Sequence, residues 1–314
     1  MITAQKIKAV AIGHAVADAL GVPVEFRSRE ALDENPVTEM LGFGTHHVPK
    51  GSWSDDTSMA LASLDSLTRG VFDFDDVMRK FGEWYFEDKY TPTGEVFDAG
   101  GTCIYAIHRY NNKNISIDEC GSSGEGTNGN GSLMRIYPFV VVCALADLPE
   151  KLWEPIIEKA SALTHAHERS KLGCKIYARV LMSLLSDPCE TSLKNALTAA
   201  SEKYAASLEY CHYQRMFSPD FKKLTREEIK STGYVVDTLE AALWCLMTTN
   251  DYKSCVLKAV NLGDDTDTVA AVAGSLAGAL YGYKEIPDEW RNALLKRDYI
   301  EELCLSVYNV WSKK

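Results

Sequence analysis

The chain has 314 residues, 46% of them apolar, which is enough to bury a core in one large domain or two small ones. Its net charge of −11 argues against the basic surface that nonspecific nucleic-acid binding requires. The longest apolar run, 137–146, is shorter than the roughly 18 residues that cross a bilayer, and the amino terminus has no signal-peptide pattern. Nine cysteines occur singly, without the C-x-x-C pairs of zinc ribbons or thioredoxins. We therefore expect a soluble cytoplasmic protein with reduced thiols and no membrane partner.

Apolar residues recur at helical spacing along most of the chain. The first helix is expected to follow a Thr3 cap and to end near Leu20, before Gly21 and Pro23. Further helices are predicted at 56–69, 74–88, 99–110, 149–163, 168–186, 191–207, 236–248, 251–261, 267–281 and 287–297. Strand-like alternation is hard to find, and 137–146 is too isolated to anchor a sheet, so the pattern favours an all-α fold. Without repeats or Pro/Ser-rich linkers, a single domain over 1–314 is expected.

Small residues and long loops add two expectations. Gly274 and Gly278 form a stripe typical of helices whose backbones approach closely at the centre of a bundle. Three long loops are expected at 21–55, 111–132 and about 208–235, and the middle one is too rich in Gly, Ser and Asn to hold a helix. Loops longer than about 12 residues inside a domain often carry function.

Two short segments concentrate carboxylates and hydroxyls directly before apolar helices: SDDT at 54–57 and DDTDT at 264–268. Helix capping is one interpretation, because Asp and Ser side chains accept hydrogen bonds from free backbone N–H groups. Capping accounts for one acidic residue per helix and leaves the other carboxylates unexplained. The alternative is a site for hard divalent cations, which select carboxylate and hydroxyl oxygens. Neither cluster contains His or Cys, which disfavours zinc, and spacing alone leaves capping and metal binding open.

The segment GEGTNG at 124–129 satisfies the G-x-G-x-x-G pattern of dinucleotide-binding proteins. It follows a polar loop rather than a strand, and no β-α-β unit surrounds it, so a Rossmann site is disfavoured. Glycines in TNGNGS at 127–132 suit a different task, because backbone N–H groups can approach a diphosphate closely where no Cβ intervenes.

Seven motifs, in this order, resemble those of the ADP-ribosylglycohydrolase family: GHAVADALGVPVEF, GSWSDDTSMAL, GEVFDAGGT, NGNGSLMR, THAH, GYVVDTLEAALW and LGDDTDTVAAVAGSLAGALYG. They extend over about residues 5 to 285. The resemblance implies an all-α orthogonal helical bundle built around a dinuclear metal centre that holds two Mg²⁺ or Mn²⁺ ions. The metal ligands that it implies are Ser54, Asp55, Asp56, Asp265, Asp267 and Thr268. Asp264 stands where the family most often has glycine and is left out of this set.

The resemblance also implies the catalytic groups and the substrate contacts. Glu25 and Asp98 match the family's carboxylates beside the reacting sugar, and either is a candidate acid or base. The implied contacts to ADP-ribose are Gly100, Gly101, Thr127, Asn128, Gly129, Asn130, Gly131, Ser132, His165, Gly233, Tyr234 and Val235. His46 and His47 have no counterpart with a role in the family and are expected on the loop surface.

The function that the resemblance implies is metal-dependent hydrolysis of the glycosidic bond between ADP-ribose and a modified acceptor. ADP-ribosyl-arginine on a protein is the favoured substrate, and free ADP-ribose is the product. Alternative substrates are ADP-ribosylserine and O-acetyl-ADP-ribose. A non-catalytic ADP-ribose-binding protein is a further alternative, although such a relative would be expected to lose metal-site aspartates or Glu25, and this chain retains them.

Overall fold

The computed structural model describes residues 2–112 and 115–313, and its regular structure is helical throughout these ranges. Within these two ranges, β-type pairing is limited to the isolated bridges Phe43–Val48, Ser122–His165 and Gly129–Tyr234. The α-helices are α1 (Ala4–Gly21), α2 (Arg29–Glu34), α3 (Asp55–Leu67), α4 (Phe74–Glu87), α5 (Gly101–Asn111), α6 (Ile117–Cys120), α7 (Tyr137–Leu145), α8 (Glu150–Ala162), α9 (Glu168–Ser186), α10 (Glu190–Tyr204), α11 (Tyr210–Tyr213), α12 (Val235–Met247), α13 (Tyr252–Val260), α14 (Thr266–Tyr281), α15 (Asp288–Ala293) and α16 (Arg297–Trp311). The all-α prediction is confirmed.

Local capping chemistry sets several helix starts. The Thr3 side chain accepts a hydrogen bond from the N–H of Lys6 at the start of α1. The Ser54 side chain accepts one from the N–H of Asp56 at the start of α3. Each cap satisfies a backbone donor that has no partner within the helix. The predicted limits of these helices, near residue 20 for the end of α1 and residue 56 for the start of α3, agree with the structure to within one residue.

Helices α1 and α14 pack against each other, and both are buried over most of their length. A Cβ atom added to Gly274 would lie 2.3 Å from the carbonyl oxygen of Gly13, and one added to Gly278 would lie 2.1 Å from that of Ala9. Because a side chain at either position would force the two backbones apart, glycine permits this contact. The predicted close approach of the Gly274 and Gly278 stripe is found here.

The same contact fixes the position at which α14 begins. Thr266 Oγ1 donates a hydrogen bond of 2.8 Å to the carbonyl oxygen of Gly21, the last residue of α1. A Cβ atom on Gly21 would lie only 2.3 Å from the Cα atom of Asp267. The end of α1 and the start of α14 therefore touch through their backbones, and the acidic residues of 265–268 are placed in the interior.

Within the described residues, Ala4–Val24 is the one helical segment long and apolar enough to cross a bilayer, with a mean hydropathy of 1.4. The segment is not an uninterrupted apolar run, because it contains Lys8, His14 and Asp18. In the folded protein, 94% of the 18-residue apolar stretch within this segment is buried. Its apolar side chains therefore form part of the core, as in the central helix of a bundle.

Two helices of nine residues or more were not predicted. Residues 137–145 form α7, which is buried on all sides, and so its side chains show no amphipathic period for a pattern search to detect. The buried residues of α16 do follow helical spacing, at Ile300, Leu303, Cys304 and Val307, but the predicted helix 287–297 ended before them. The structure divides that prediction between α15 and the start of α16. The predicted loops also contain the short helices α2, α6 and α11. The expectation that the middle loop holds no helix was wrong, because Ile117–Cys120 contains no glycine and the Ser116 side chain caps it by accepting from the N–H of Asp118.

The contact between α1 and α14 predicts a large difference between two glycine substitutions. Gly278→Ala should lower the free energy of unfolding by about 2 kcal/mol or more, because the new methyl group overlaps the Ala9 carbonyl. Gly82→Ala in α4 is the matched control, because its Cβ would meet its nearest atom, of the Asn111 side chain, at 3.6 Å. This control should be neutral or stabilising by up to about 1 kcal/mol through helix propensity. Denaturant titration measures both changes, and equal stabilities would contradict this account of the packing.

Candidate active site

The two acidic segments meet in the structure. Thr268 Oγ1, in the first turn of α14, donates a hydrogen bond of 3.3 Å to Asp56 Oδ1, in the first turn of α3. These residues are 212 positions apart in the sequence. Asp56 and Asp267 are almost fully buried, with exposures of 0% and 1%. The folded chain thus brings the starts of α3 and α14 together, although their acidic clusters are far apart in the sequence.

The carboxylates form two overlapping groups of three. In the first group one oxygen each of Asp18, Asp56 and Asp267 lies within 4.8 Å of the others. In the second group the same holds for Glu25, Asp265 and Asp267. Asp267 belongs to both groups. A residue placed in this way can contribute oxygens to two neighbouring positive charges.

Burial makes the negative charge in this cluster unfavourable. It is the largest cause that raises the pKa values of Asp55, Asp56 and Asp267 well above the usual range, and nearby carboxylates raise them further. Burial also raises the pKa of Asp18 to about 6. No Lys or Arg lines the cavity in the described part of the chain. The carboxylates can be ionised together only if positive charge from another source compensates them.

The donor atoms fit hard divalent cations. Asp56 Oδ2, Asp265 Oδ1 and Asp267 Oδ1 are buried and have no hydrogen-bond partner among the described residues. A buried carboxylate oxygen without a partner is costly, and coordination to a cation would satisfy it. The Ser54 and Thr268 hydroxyls add neutral oxygen donors at the same two helix starts. An all-oxygen set of this kind suits Mg²⁺ or Mn²⁺ better than zinc.

Asp18 supports this cluster and was not predicted. Its Oδ1 accepts a hydrogen bond of 2.9 Å from the N–H of Ser54, and its Oδ2 accepts bonds from the N–H and hydroxyl of Thr57 at 3.1 and 2.6 Å. The side chain therefore anchors the start of α3 to the end of α1. One signal was present in the sequence: Asp18 is an acidic residue in the apolar second half of α1, one turn after His14.

Glu25 lies in a turn that is fixed to the second acidic segment. The N–H of Phe26 donates to the carbonyl oxygen of Asp264 at 2.8 Å, and the N–H of Asp264 donates to the carbonyl oxygen of Arg27 at 2.9 Å. Asp264 itself has an exposed side chain that does not line the cavity. Burial raises the pKa of Glu25 to about 7. Glu25 is thus held beside Asp265 by backbone contacts of its neighbours.

His46 is not on the loop surface, and this expectation was wrong. Its Nε2 forms a short hydrogen bond with Glu25 Oε2, which is the main cause that raises the pKa of His46. Gly44 makes the contact possible, because its left-handed backbone passes so close to Pro23 that a Cβ atom would lie 2.0 Å from the Pro23 carbonyl oxygen. His47 is exposed, as expected. No sequence spacing could bring residue 46 to residue 25, since their contact depends on the path of the loop.

A cavity of about 270 Å³ lies above the acidic cluster. The carboxylates of Glu25, Asp55 and Asp98 line this cavity. The N–H of Gly100 donates a hydrogen bond of 3.1 Å to Asp55 Oδ2. A Cβ atom on Gly101 would meet no atom within 4 Å, so the start of α5 borders open space. The other predicted residues that line the cavity are Gly129, Asn130, Gly131, His165, Gly233, Asp265 and Thr268.

The segment 129–131 approaches the cavity through its backbone. The N–H of Asn130 donates to the carbonyl oxygen of Gly233 at 2.9 Å, and Asn130 Nδ2 donates to Asp265 Oδ2 at 2.8 Å. A Cβ atom on Gly131 would lie 2.8 Å from Cys103 Sγ and 2.9 Å from His165 Cε1, so only glycine fits. This segment is therefore tied both to the acidic cluster and to the loop that precedes α12.

The remaining predicted substrate contacts do not line the cavity. The Ser132 hydroxyl is fully buried and accepts a hydrogen bond from Ser161 at 2.9 Å. The Asn128 amide bonds to Ser170, and the Val235 side chain lies in the core. The others are Thr127, whose hydroxyl donates to the Gly124 carbonyl oxygen, and Tyr234, whose ring faces the Arg169 guanidinium at 6.0 Å. These residues support the segments at the cavity without facing it.

Comparison with known proteins agrees with this geometry. The chain is 32% identical over 97% of its length to an ADP-ribosylarginine hydrolase of Pseudomonas putida strain GB-1, of which it covers 78%. It is 33% identical over 90% of its length to the ADP-ribosyl-[dinitrogen reductase] glycohydrolase of Rhodospirillum rubrum, of which it covers 88%. A solved structure described as an ADP-ribosylglycohydrolase-related protein complex superposes with a TM-score of 0.82 at 32% identity, over 98% of each chain.

The sequence also matches the ADP-ribosylglycohydrolase family over residues 1–314. This match covers the helices that carry both acidic segments and the loops that line the cavity. The chain therefore belongs to the ADP-ribosylglycohydrolase family and is a glycosidic-bond hydrolase.

Proposed function

We propose that this enzyme hydrolyses the bond between ADP-ribose and an arginine side chain of a modified protein, and that it requires divalent cations. The observation that carries the proposal is the meeting of two acidic helix starts in one cavity, which the glycine segment 129–131 also lines. The arginine acceptor is proposed from the activity named for the Pseudomonas putida relative.

The proposed cation ligands come from both helix starts. Two Mg²⁺ or Mn²⁺ ions would be held by Ser54, Asp55, Asp56, Asp265, Asp267 and Thr268. Asp267, which belongs to both carboxylate groups, is the proposed shared ligand. When bound, the ions would supply positive charge for the ribose hydroxyls and for polarising a water molecule. Asp18 remains outside this set, because both of its oxygens already accept hydrogen bonds that anchor α3.

Glu25 and Asp98 are the proposed proton-transfer groups. Hydrolysis adds a hydroxyl group from water to the anomeric carbon and a proton to the departing acceptor, so the site must both accept and supply a proton. Glu25 lines the cavity and forms a hydrogen bond with His46 Nε2, so its carboxyl group is placed to exchange a proton with a group bound there. Asp98 faces the same cavity, and negative oxygen there would stabilise the positive charge that develops on the sugar.

Chelation should destabilise the protein and abolish turnover. Removal of the cations leaves the buried carboxylates uncompensated, and a ligand that binds only the folded state stabilises it. We expect excess EDTA to lower the melting temperature by several degrees, and Mg²⁺ or Mn²⁺ to restore both stability and activity. Differential scanning fluorimetry and an ADP-ribose release assay measure the two effects.

Two aspartate variants control this experiment. Asp267→Asn should lower kcat about 100-fold or more and remove the stabilisation by metal, because it eliminates the shared carboxylate. Asp264→Asn is the matched control, since Asp264 is exposed, lies three residues away, and has a left-handed backbone that Asn also tolerates. An unchanged melt and full turnover in EDTA would refute metal dependence.

The His46 contact predicts that this histidine orients Glu25. His46→Ala should lower kcat about tenfold or more, because the Glu25 carboxylate loses the hydrogen bond that fixes its direction. His47→Ala should leave kcat unchanged, because that side chain is exposed. Steady-state kinetics on both variants tests the assignment. Equal turnover of the two variants would remove His46 from the site.

The acceptor is tested by comparing two substrates. Peptides that carry ADP-ribose on arginine or on serine are incubated with the enzyme and Mg²⁺ or Mn²⁺, and released ADP-ribose is quantified. We expect release from the arginine peptide. Release from the serine peptide alone would replace the proposed acceptor, and turnover of neither would favour a small ADP-ribosyl conjugate or a binding role.

A further inference from the structure

Arg135 is a fully buried cation without an acidic partner. Its side chain has 0% exposure, and the titratable groups beside it are the Cys103 and Cys174 thiols, whose pKa values burial raises, so that they stay protonated and neutral. Its guanidinium carbon lies 4.7 Å above the centre of the Phe81 ring. Its Nε and Nη1 atoms have no hydrogen-bond partner among the described residues. Burying an unpaired charge costs free energy, so a guanidinium in this position calls for an explanation beyond packing.

The remaining nitrogen of Arg135 connects the cation to the cavity. Nη2 donates hydrogen bonds to the carbonyl oxygen of Ala160 at 3.2 Å and to Thr164 Oγ1 at 2.8 Å. Thr164 Oγ1 in turn lies 2.8 Å from His165 Nδ1. Three side chains thus form a continuous buried line from a cation to an imidazole ring that borders the cavity.

The direction of these hydrogen bonds follows from the chemistry of the groups. Arginine can only donate, so Thr164 Oγ1 is the acceptor in the first bond. Because the positive guanidinium donates to the Thr164 oxygen, the hydrogen of the Thr164 hydroxyl becomes a better donor. The same positive charge disfavours a second N–H, on His165 Nδ1, that would point at this oxygen. The favoured arrangement has the Thr164 hydroxyl donating to His165 Nδ1. The imidazole is neutral, because burial and, to a smaller extent, the charge of Arg135 lower the pKa of His165 to about 3.

A neutral imidazole that accepts at Nδ1 carries its hydrogen on Nε2. Nε2 forms no hydrogen bond to a described residue and faces the glycine segment, since a Cβ atom on Gly129 would lie 3.5 Å from it. An N–H group that points into this cavity is a donor for an anionic oxygen. With the opposite tautomer, Nε2 would present a lone pair and repel that oxygen.

We infer that Arg135 and Thr164 are positioning residues that fix the tautomer of His165, so that its Nε2–H donates to the diphosphate of ADP-ribose. The identity of the anion rests on the proposed function. The tautomer itself does not, because it is a property of the free protein. The arrangement supplies a donor without placing a charged residue at the cavity, where Lys or Arg would pair with the acidic cluster.

The tautomer is measured directly by long-range ¹H–¹⁵N correlation NMR of the histidine side chains in the free enzyme, with His165 assigned from a His165→Ala variant. We expect a pyridine-type nitrogen at Nδ1 and a pyrrole-type nitrogen at Nε2. Thr164→Val, which keeps the shape but removes the hydroxyl, should shift His165 toward the other tautomer. Thr164→Ser should retain the native one. A wild-type His165 with its proton on Nδ1 would overturn the inference.

Calorimetric titration with ADP-ribose in the presence of Mg²⁺ gives the second readout. Thr164→Val should weaken binding about tenfold, the loss expected for one hydrogen bond to a charged group, and Thr164→Ser should restore it. In a His165→Ala background, Thr164→Val should have no further effect, because the residue acts through the imidazole. A tenfold loss that persists without His165 would instead assign Thr164 a general structural role.

The outcomes separate this inference from the proposed function. If the wild type binds ADP-ribose and cleaves the arginine peptide, while Thr164→Val changes neither tautomer nor affinity, the inference is overturned and the proposed function stands. If the wild type neither binds nor cleaves, the proposed function fails, and the NMR result still decides whether the Thr164 hydroxyl sets the tautomer.

Discussion

Repulsion among carboxylates that are buried at one point is the constraint on which the rest of this structure depends. Asp56 and Asp267 have almost no contact with solvent, and each lies within 4.8 Å of other carboxylate oxygens. Backbone N–H groups and hydroxyls compensate part of the charge, as at Asp18 and Asp55. No described Lys or Arg lines the cavity. The fold therefore retains a cluster of buried negative charge that divalent cations would compensate.

The packing of the bundle and the geometry of the site have the same origin. Gly13, Gly274 and Gly278 let α1 and α14 touch through their backbones, and Gly21 brings the end of α1 against Asp267. Side chains at these positions would separate the helices and also move the acidic residues of 265–268. The turn at Glu25 is likewise fixed by backbone hydrogen bonds to Asp264. The acid–base candidate and the acidic cluster are consequently tied together through the backbone, and catalysis by positioning depends on such links.

The sequence predicts the parts of this structure that are encoded locally. The Thr3 cap, the acidic starts of α3 and α14 and the glycine stripe follow from short-range patterns, and the structure shows each of them where it was expected. Helix α7 has no such pattern, because a helix buried on every side lacks amphipathic period. Asp18 and His46 were missed for another reason. Their importance comes from contacts with Thr57 and Glu25 that only the folded chain creates. A motif likewise does not tell which of its side chains face the cavity, as the buried Ser132 hydroxyl illustrates.

The central claim is that these two helix starts hold divalent cations between them. Manganese soaked into crystals of the protein would be located directly by its anomalous scattering. The account predicts two peaks between the side chains of 54–56 and those of 265–268, with oxygens of Asp267 next to both. A map without a peak there, from crystals in which manganese occupies other sites, would contradict it.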